Sequence, residues 1–81
     1  MIEAYKIKSW YVRNGSMIPG SEHVLCHKDR HTDRLFKTSD SAYAFMDECF
    51  ERDNREGIEG RSYAVIGPKL VSDKNGERLA V

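Results

Sequence analysis

The segment from Thr38 to Asn54 reads TSDSAYAFMDECFERDN, and its apolar residues Ala42, Phe45, Met46, Cys49 and Phe50 recur at i, i+3, i+4, i+7 and i+8. This spacing gathers them into one stripe on a helix and scatters them over both faces of a strand. A helix with one apolar stripe must lay it on an apolar surface, so the rest of the chain has to build a matching face. Thr38, Ser39 or Asp40 can cap the start by accepting a backbone hydrogen bond, and Asp40 suits the positive end of the helix dipole. Glu48 with Arg52, and Glu51 with Arg55, stand at i, i+4 on the outer side, each pair worth about 0.3 kcal/mol. Gly57 and Gly60 end the helix.

The matching face is expected from strands. Residues 2 to 13, rich in Ile, Tyr, Trp and Val, read as the first strand. Tyr5, Ile7, Ser9 and Tyr11 share one side of it, and Ala4, Lys6, Lys8, Trp10 and Val12 the other. The apolar side changes near Ser9, as a bulge or a two-sided strand would cause. Asn14-Gly15 suits a tight hairpin turn, but a hairpin there puts Pro19 into the returning strand, so a longer loop over residues 14 to 20 is expected. A second strand over about 21 to 27 and a short one through Leu35 and Phe36 follow. SYAVIG, about residues 61 to 66, reads as a strand stopped by Gly67-Pro68. In the tail, Asn75-Gly76 predicts a hairpin pairing Lys74 with Glu77 and Asp73 with Arg78. The fold class is therefore α+β, a small antiparallel sheet of about four to five strands with the amphipathic helix packed on one face. Phe45, Met46, Cys49 and Phe50 are expected to pack on Ile7, Val65 and either Val24 or Cys26, with truncation of Phe45 or Phe50 to alanine costing about 3 to 5 kcal/mol.

At 81 residues the chain, 1 to 81, is expected to be a single domain, because a second core cannot be built from what the first leaves over. Hydrophobic residues at 40% and charged residues at 32% suit an ordinary folded protein. No apolar run reaches the roughly 18 residues needed to cross a bilayer, and MIEAYKIKSW lacks the apolar core of a secretion signal. A cytoplasmic protein without membrane contact is expected. Two cysteines, Cys26 and Cys49, are too few for a disulfide scaffold and are read as reduced thiols.

Chemistry-bearing residues concentrate in EHVLCHKDRHTDR, Glu22 to Arg34, which holds all three histidines. His23, Cys26, His27 and His31 are the right residue types for zinc, yet their spacing matches no zinc module, and on a strand Cys26 faces away from His23 and His27. No metal is expected, and Cys26 is read as a small buried thiol. Lys28, Arg30 and Arg34, together with Lys6, Lys8, Trp10 and Tyr11, could hold a nucleic-acid backbone and stack bases, although Glu22, Asp29 and Asp33 interleave and the net charge is zero. No phosphate-cradling glycine loop, nucleophile elbow or triad occurs, and no acid stands in an apolar context that would tune it for proton transfer. Neither an enzyme nor a cofactor is expected.

Charge is unevenly spread. Residues 1 to 38 carry seven Lys or Arg against four acids, while residues 39 to 59 carry seven acids against two arginines. An acidic helix provides solubility, and it also suits occupation of a basic surface. In size, single-domain build and acidic character the chain resembles the small phage- or mobile-element-encoded proteins that disable a host machine, of which the anti-CRISPR proteins are one group; no motif is involved. The resemblance implies a viral inhibitor engaged in host–virus interaction. The expected function is thus protein binding, an inhibitor of a protein or ribonucleoprotein complex with a basic surface, with Asp47, Glu48, Glu51 and Arg55 as contact residues. The alternatives are a nucleic-acid-binding regulator using Lys28, Arg30 and Arg34, and a small structural subunit; monomer and homodimer are both open.

Overall fold

A computed structural model describes residues 2–26, 33–71 and 79–80. In chain order they form β1 (Ile2–Arg13), β2 (Ser16–Met17), β3 (His23–Val24), β4 (Leu35–Phe36), α1 (Ser39–Glu56), β5 (Arg61–Val71) and β6 (Leu79–Ala80). The architecture is α+β, one helix packed on a sheet that is antiparallel apart from the β4–β6 pair.

β1 organises the sheet. One of its edges is paired by β5 from Ile2↔Val71 to Tyr11↔Arg61. The other is shared in succession by β2 at Val12 and Arg13, β3 at Lys8 and Ser9, and β4 at Tyr5. β6 lies beyond β4, with Leu35 opposite Leu79 and Phe36 opposite Ala80. The hairpin expected at Asn75-Gly76 lies outside the described residues.

The turn after β1 is the two-residue hairpin, not the longer loop. Asn14 and Gly15 both take positive φ, 53° and 78°, the pairing that matches the right-handed twist of two strands. Pro19 is accommodated because β2 stops at Met17. Ile18 to Ser21 then form a second turn, Ser21 N–H donating to the Ile18 carbonyl at 3.2 Å across Pro19 and Gly20. This second reversal leads into β3, which is shorter than the strand expected over 21 to 27 and leaves only an isolated bridge between Cys26 and Asp33 beyond it.

β5 also departs from the expectation, running through Gly67-Pro68 instead of stopping there. Ala4 pairs with Lys69 and Lys6 with Ile66, so Gly67 and Pro68 together oppose Tyr5 as a bulge. A bulge is where a strand tolerates a residue that lacks a backbone donor. Gly67 has φ 129°, and a Cβ there would meet the Ala4 carbonyl oxygen at 2.9 Å. The bulge thus sits at Tyr5 rather than Ser9, and β1 is also two-sided, with Ile7 in one apolar cluster and Ala4 in another.

α1 starts where its caps dictate. The Thr38 hydroxyl accepts from Ser41 N–H at 3.1 Å, and Gly57 closes the far end in the left-handed conformation, its N–H reaching the Asn54 carbonyl. The stripe packs Ala42 and Cys49 fully, with Phe45 and Met46 partly buried, against Ile7, Phe36, Tyr63, Val65, Tyr5 and Leu25. Leu25 replaces the expected Val24 or Cys26. Pairing of Lys8 with Val24 sends Val24 to the side opposite Ile7, and Leu25, one residue on, turns back toward the helix. Phe50 is 42% exposed and only flanks the core, whereas Phe36 is 1% exposed at its centre. On the other side of the sheet Ala4, Leu35 and Val71, joined by Ile2, form a smaller second cluster.

Candidate functional site

With Ala42, Cys49 and Asp53 turned inward, the remaining arc of α1 faces outward, and Asp47, Glu48, Glu51 and Arg55 are all exposed on it. The i, i+4 pairs Glu48–Arg52 and Glu51–Arg55 do not close to within 4 Å; Arg52 leans instead toward Asp53, Nε to Oδ1 3.9 Å. Among the described residues neither glutamate closes an ion pair. They line a shallow groove of about 290 Å³ together with Phe45, Cys49, Arg52 and Arg55. Its floor is apolar and its rim is charged in both signs. A neighbouring groove of about 230 Å³ continues past Phe45, Cys49 and Arg52 to Leu25, Cys26 and Arg34. An apolar floor below carboxylates fits a long basic side chain, whose methylene stem lies on carbon while its charged head stays at the wet rim.

Asp53 does not belong to the acidic arc, although it is one of the seven acids of residues 39 to 59. Its side chain follows the stripe, four residues after Cys49, and the residue is 4% exposed. Oδ2 accepts from the Tyr63 hydroxyl at 2.6 Å and Oδ1 from Arg61 Nη1 at 3.1 Å. Arg61 Nη2 in turn donates to the Tyr11 hydroxyl at 3.1 Å, with the guanidinium carbon 5.4 Å from the Tyr11 ring centre. Burial pushes the Tyr63 phenol above its ordinary 10.0, and its hydrogen bond to Asp53 adds to the effect. The Arg61 pKa is likewise raised, first by its hydrogen bond with Tyr63. Both carboxylate oxygens are occupied, so the cluster ties the last turns of α1 to β5 and β1 and presents no free base. Its trace in the sequence is an acid at a stripe position followed by Arg61 and Tyr63 on one side of a strand.

The histidine-rich stretch separates. His23 is exposed, its Nδ1 3.2 Å from the Ser21 carbonyl oxygen. Cys26 is exposed rather than buried, its Sγ donating to the Val24 carbonyl at 3.3 Å. His27 and His31 lie outside the described residues, as do Lys28 and Arg30. Among the described residues no three His, Cys, Asp or Glu side chains come together as a metal site. Arg34 is half-buried and stacks over the Phe45 ring at 4.8 Å. The bases of β1 are also engaged, Lys6 with Asp33 at 2.9 Å and Lys8 with Glu22 at 2.6 Å. Tyr11 lies on the helix side of the sheet with Arg61, away from Trp10, so the aromatic pair expected to stack bases is split. Cys49 is buried in the core, which raises its thiol above the usual range.

No protein-family profile, curated protein or solved structure matches the chain. Among the described residues no helix is long and apolar enough to cross a membrane.

Proposed function

We propose that the chain is a non-enzymatic interaction protein that binds a basic surface on another protein or ribonucleoprotein complex through the outward arc of α1, and that the consequence is inhibition, as for the anti-CRISPR proteins it resembles in size and build. The observation that supports this most is the groove in which Glu48 and Glu51 stand free of their helical partners above Phe45 and Cys49. Acids that close no ion pair of their own keep their charge for an incoming lysine or arginine, and the apolar floor adds contact area that charge alone does not supply. Arg55 at the groove's rim would set orientation, and Asp47, on the neighbouring side of the helix, would add to the long-range attraction. The nucleic-acid reading has less behind it, since Lys6, Lys8 and Arg34 are engaged within the fold.

The test begins with capture of partners from host lysate before and after nuclease treatment. The captured partner is then titrated with wild type and with the variant carrying Asp47→Lys, Glu48→Lys and Glu51→Lys. The exposed positions leave the fold intact, so circular dichroism should be unchanged. Association should slow, affinity should fall by about tenfold or more, and wild-type binding should weaken with salt. Equal binding by the variant sinks the reading. Capture lost to nuclease, with plain DNA or RNA bound more tightly by the variant, favours the nucleic-acid regulator instead.

A further inference from the structure

β5 pairs with β1 along its whole length and with no other described strand, so among the described residues its outer edge is open. The phase of that edge follows from one bond: Val12 N–H donates to the Gly60 carbonyl at 2.6 Å. In an antiparallel pair, residues alternate between aiming both backbone groups at the partner and aiming both away. Ser62, Ala64 and Ile66 therefore serve β1, while Arg61, Tyr63 and Val65 direct their N–H and C=O outward. The far side of β1 obeys the same alternation, with the Tyr11 carbonyl accepting from Ile18 and the Ile7 carbonyl from Leu25. β6 gives the edge no cover, because it lies across the sheet beyond β4.

Edges of this kind are normally blunted by a bulge, a proline or a charge. Past Ile66 this one is, through Gly67, Pro68 and Lys69. From Ser62 to Ile66 it is uncharged and β-prone, with none of those devices. The helix supplies a second, independent sign. On its β4 side Phe45 is covered by Phe36, with ring centres 5.3 Å apart, and by Arg34. On its β5 side Phe50 rests edge-on against Tyr63 at 4.9 Å yet is 42% exposed, and Tyr43, seven residues earlier on the same flank, is 51% exposed. The open edge and the open aromatic flank adjoin.

We infer that this edge is an isologous interface at which a second copy of the chain pairs its own β5 antiparallel, about a two-fold axis at Tyr63, so that one sheet continues through both protomers and the Phe50 flanks of the two helices meet. In that register Tyr63 exchanges two hydrogen bonds with its counterpart, and Arg61 and Val65 exchange theirs with the partner's Val65 and Arg61. A second copy fits because the axis brings the two exposed Phe50 and Tyr43 flanks together, apolar on apolar, and sets each Arg61 opposite an uncharged Val65 instead of its own counterpart. Strand pairing alone is marginal in water, and burial of Phe50 and Tyr43 supplies the apolar area it lacks. The two-fold consumes the edge, so assembly closes at two. The groove lined by Glu48, Glu51 and Arg55 lies on the opposite flank of α1 and stays open in such a dimer, whereas Asp47, between Tyr43 and Phe50, borders the interface.

Sedimentation equilibrium and native mass spectrometry from about 1 μM to about 1 mM, the span over which weak association declares itself, should show a monomer giving way to a dimer. Over the same range amide exchange should slow at Tyr63 and Val65, while Ser62 and Ala64, already bonded to β1, stay unchanged. Phe50→Asp should raise the dimer dissociation constant by about tenfold or more, and Val65→Pro, which removes an outward donor without touching the β1 ladder, should abolish the dimer. Circular dichroism checks both folds; if Val65→Pro unfolds, Phe50→Asp carries the test alone. A monomer at every concentration overturns the inference. So does a dimer in which the Tyr63 and Val65 amides gain no protection, one indifferent to Phe50→Asp, or growth beyond two copies.

Discussion

Asp53→Ala is the sharpest test of what holds α1 to the sheet. The substitution removes a carboxylate that accepts from Tyr63 at 2.6 Å and from Arg61 at 3.1 Å, and it leaves both donors behind. The Tyr63 hydroxyl is in the core and loses its acceptor, at a cost of about 1 to 3 kcal/mol for a buried group left unsatisfied. Loss of one partner from a fully buried ion pair costs about 3 to 5 kcal/mol, but the Arg61 side chain is 22% exposed and can regain water, so its share is smaller. The sum is about 2 to 4 kcal/mol. That is a large part of the roughly 4 to 12 kcal/mol a chain of this length has in all. Asp53→Asn keeps one acceptor oxygen and should lose about half as much. Urea unfolding of the wild type, both variants, Tyr63→Phe and the Asp53→Ala/Tyr63→Phe double variant gives the numbers, and the cycle should show coupling of about 1 kcal/mol or more between the two side chains. A change below about 0.5 kcal/mol for Asp53→Ala would refute the claim that the cluster fastens the helix, since surface substitutions fall in that range.

Truncation of core aromatics should rank with burial: Phe36→Ala loses about 3 to 5 kcal/mol, Phe45→Ala somewhat less, and Phe50→Ala only about 1 kcal/mol, as read from melting and denaturant midpoints. Gly67→Ala should destabilise by more than about 1 kcal/mol, because the new Cβ meets the Ala4 carbonyl and φ is 129°, whereas Gly57→Ala, at φ 72° with open space around it, should lose about 1 kcal/mol; similar losses at the two sites would contradict the close approach at the bulge. Raised folded-state values for Cys49 and Tyr63 mean that above their ordinary 9.0 and 10.0 the unfolded chain sheds protons the folded one retains, so stability should fall as pH climbs past about 9; Tyr63→Phe should flatten the part above pH 10, measured by urea unfolding across the alkaline range.

What the sequence revealed and what it concealed divide along physical lines. α1 was legible because its stripe, its Thr38 cap and its Gly57 stop are all local signals, and they agree. The pairing of Phe45 with the sheet followed from the same phase. Leu25 takes the place expected for Val24 or Cys26 because the side a strand residue faces depends on register, and register is fixed by two turns at Asn14-Gly15 and Pro19-Gly20 that together bring His23 opposite Ser9. Pro68 reads as a stop in the sequence because the bulge that admits it exists only with Tyr5 across from it. Asp53 was counted with the surface acids since a carboxylate in the stripe makes sense only once Arg61 and Tyr63 are brought to it by the turn at Gly57 and Gly60. Asp47, Glu48, Glu51 and Arg55 were legible as an outward arc, but the groove beneath two of them depends on Phe45 meeting Phe36.

The central place of β1 also sets a timetable for synthesis. β1 leaves the ribosome before any other element, yet its longest partner is β5, and each residue of their ladder waits for one between 50 and 69 positions later in the chain. At about 5 to 20 residues per second that delay is several seconds. During it, only β2, β3 and β4 can occupy one edge of β1, and the edge owed to β5 stays bare with Ile7 and Tyr5 uncovered until α1 has been made. Chaperone demand, and any tendency of the nascent chain to aggregate, should therefore concentrate before residue 71 emerges and end abruptly once it does.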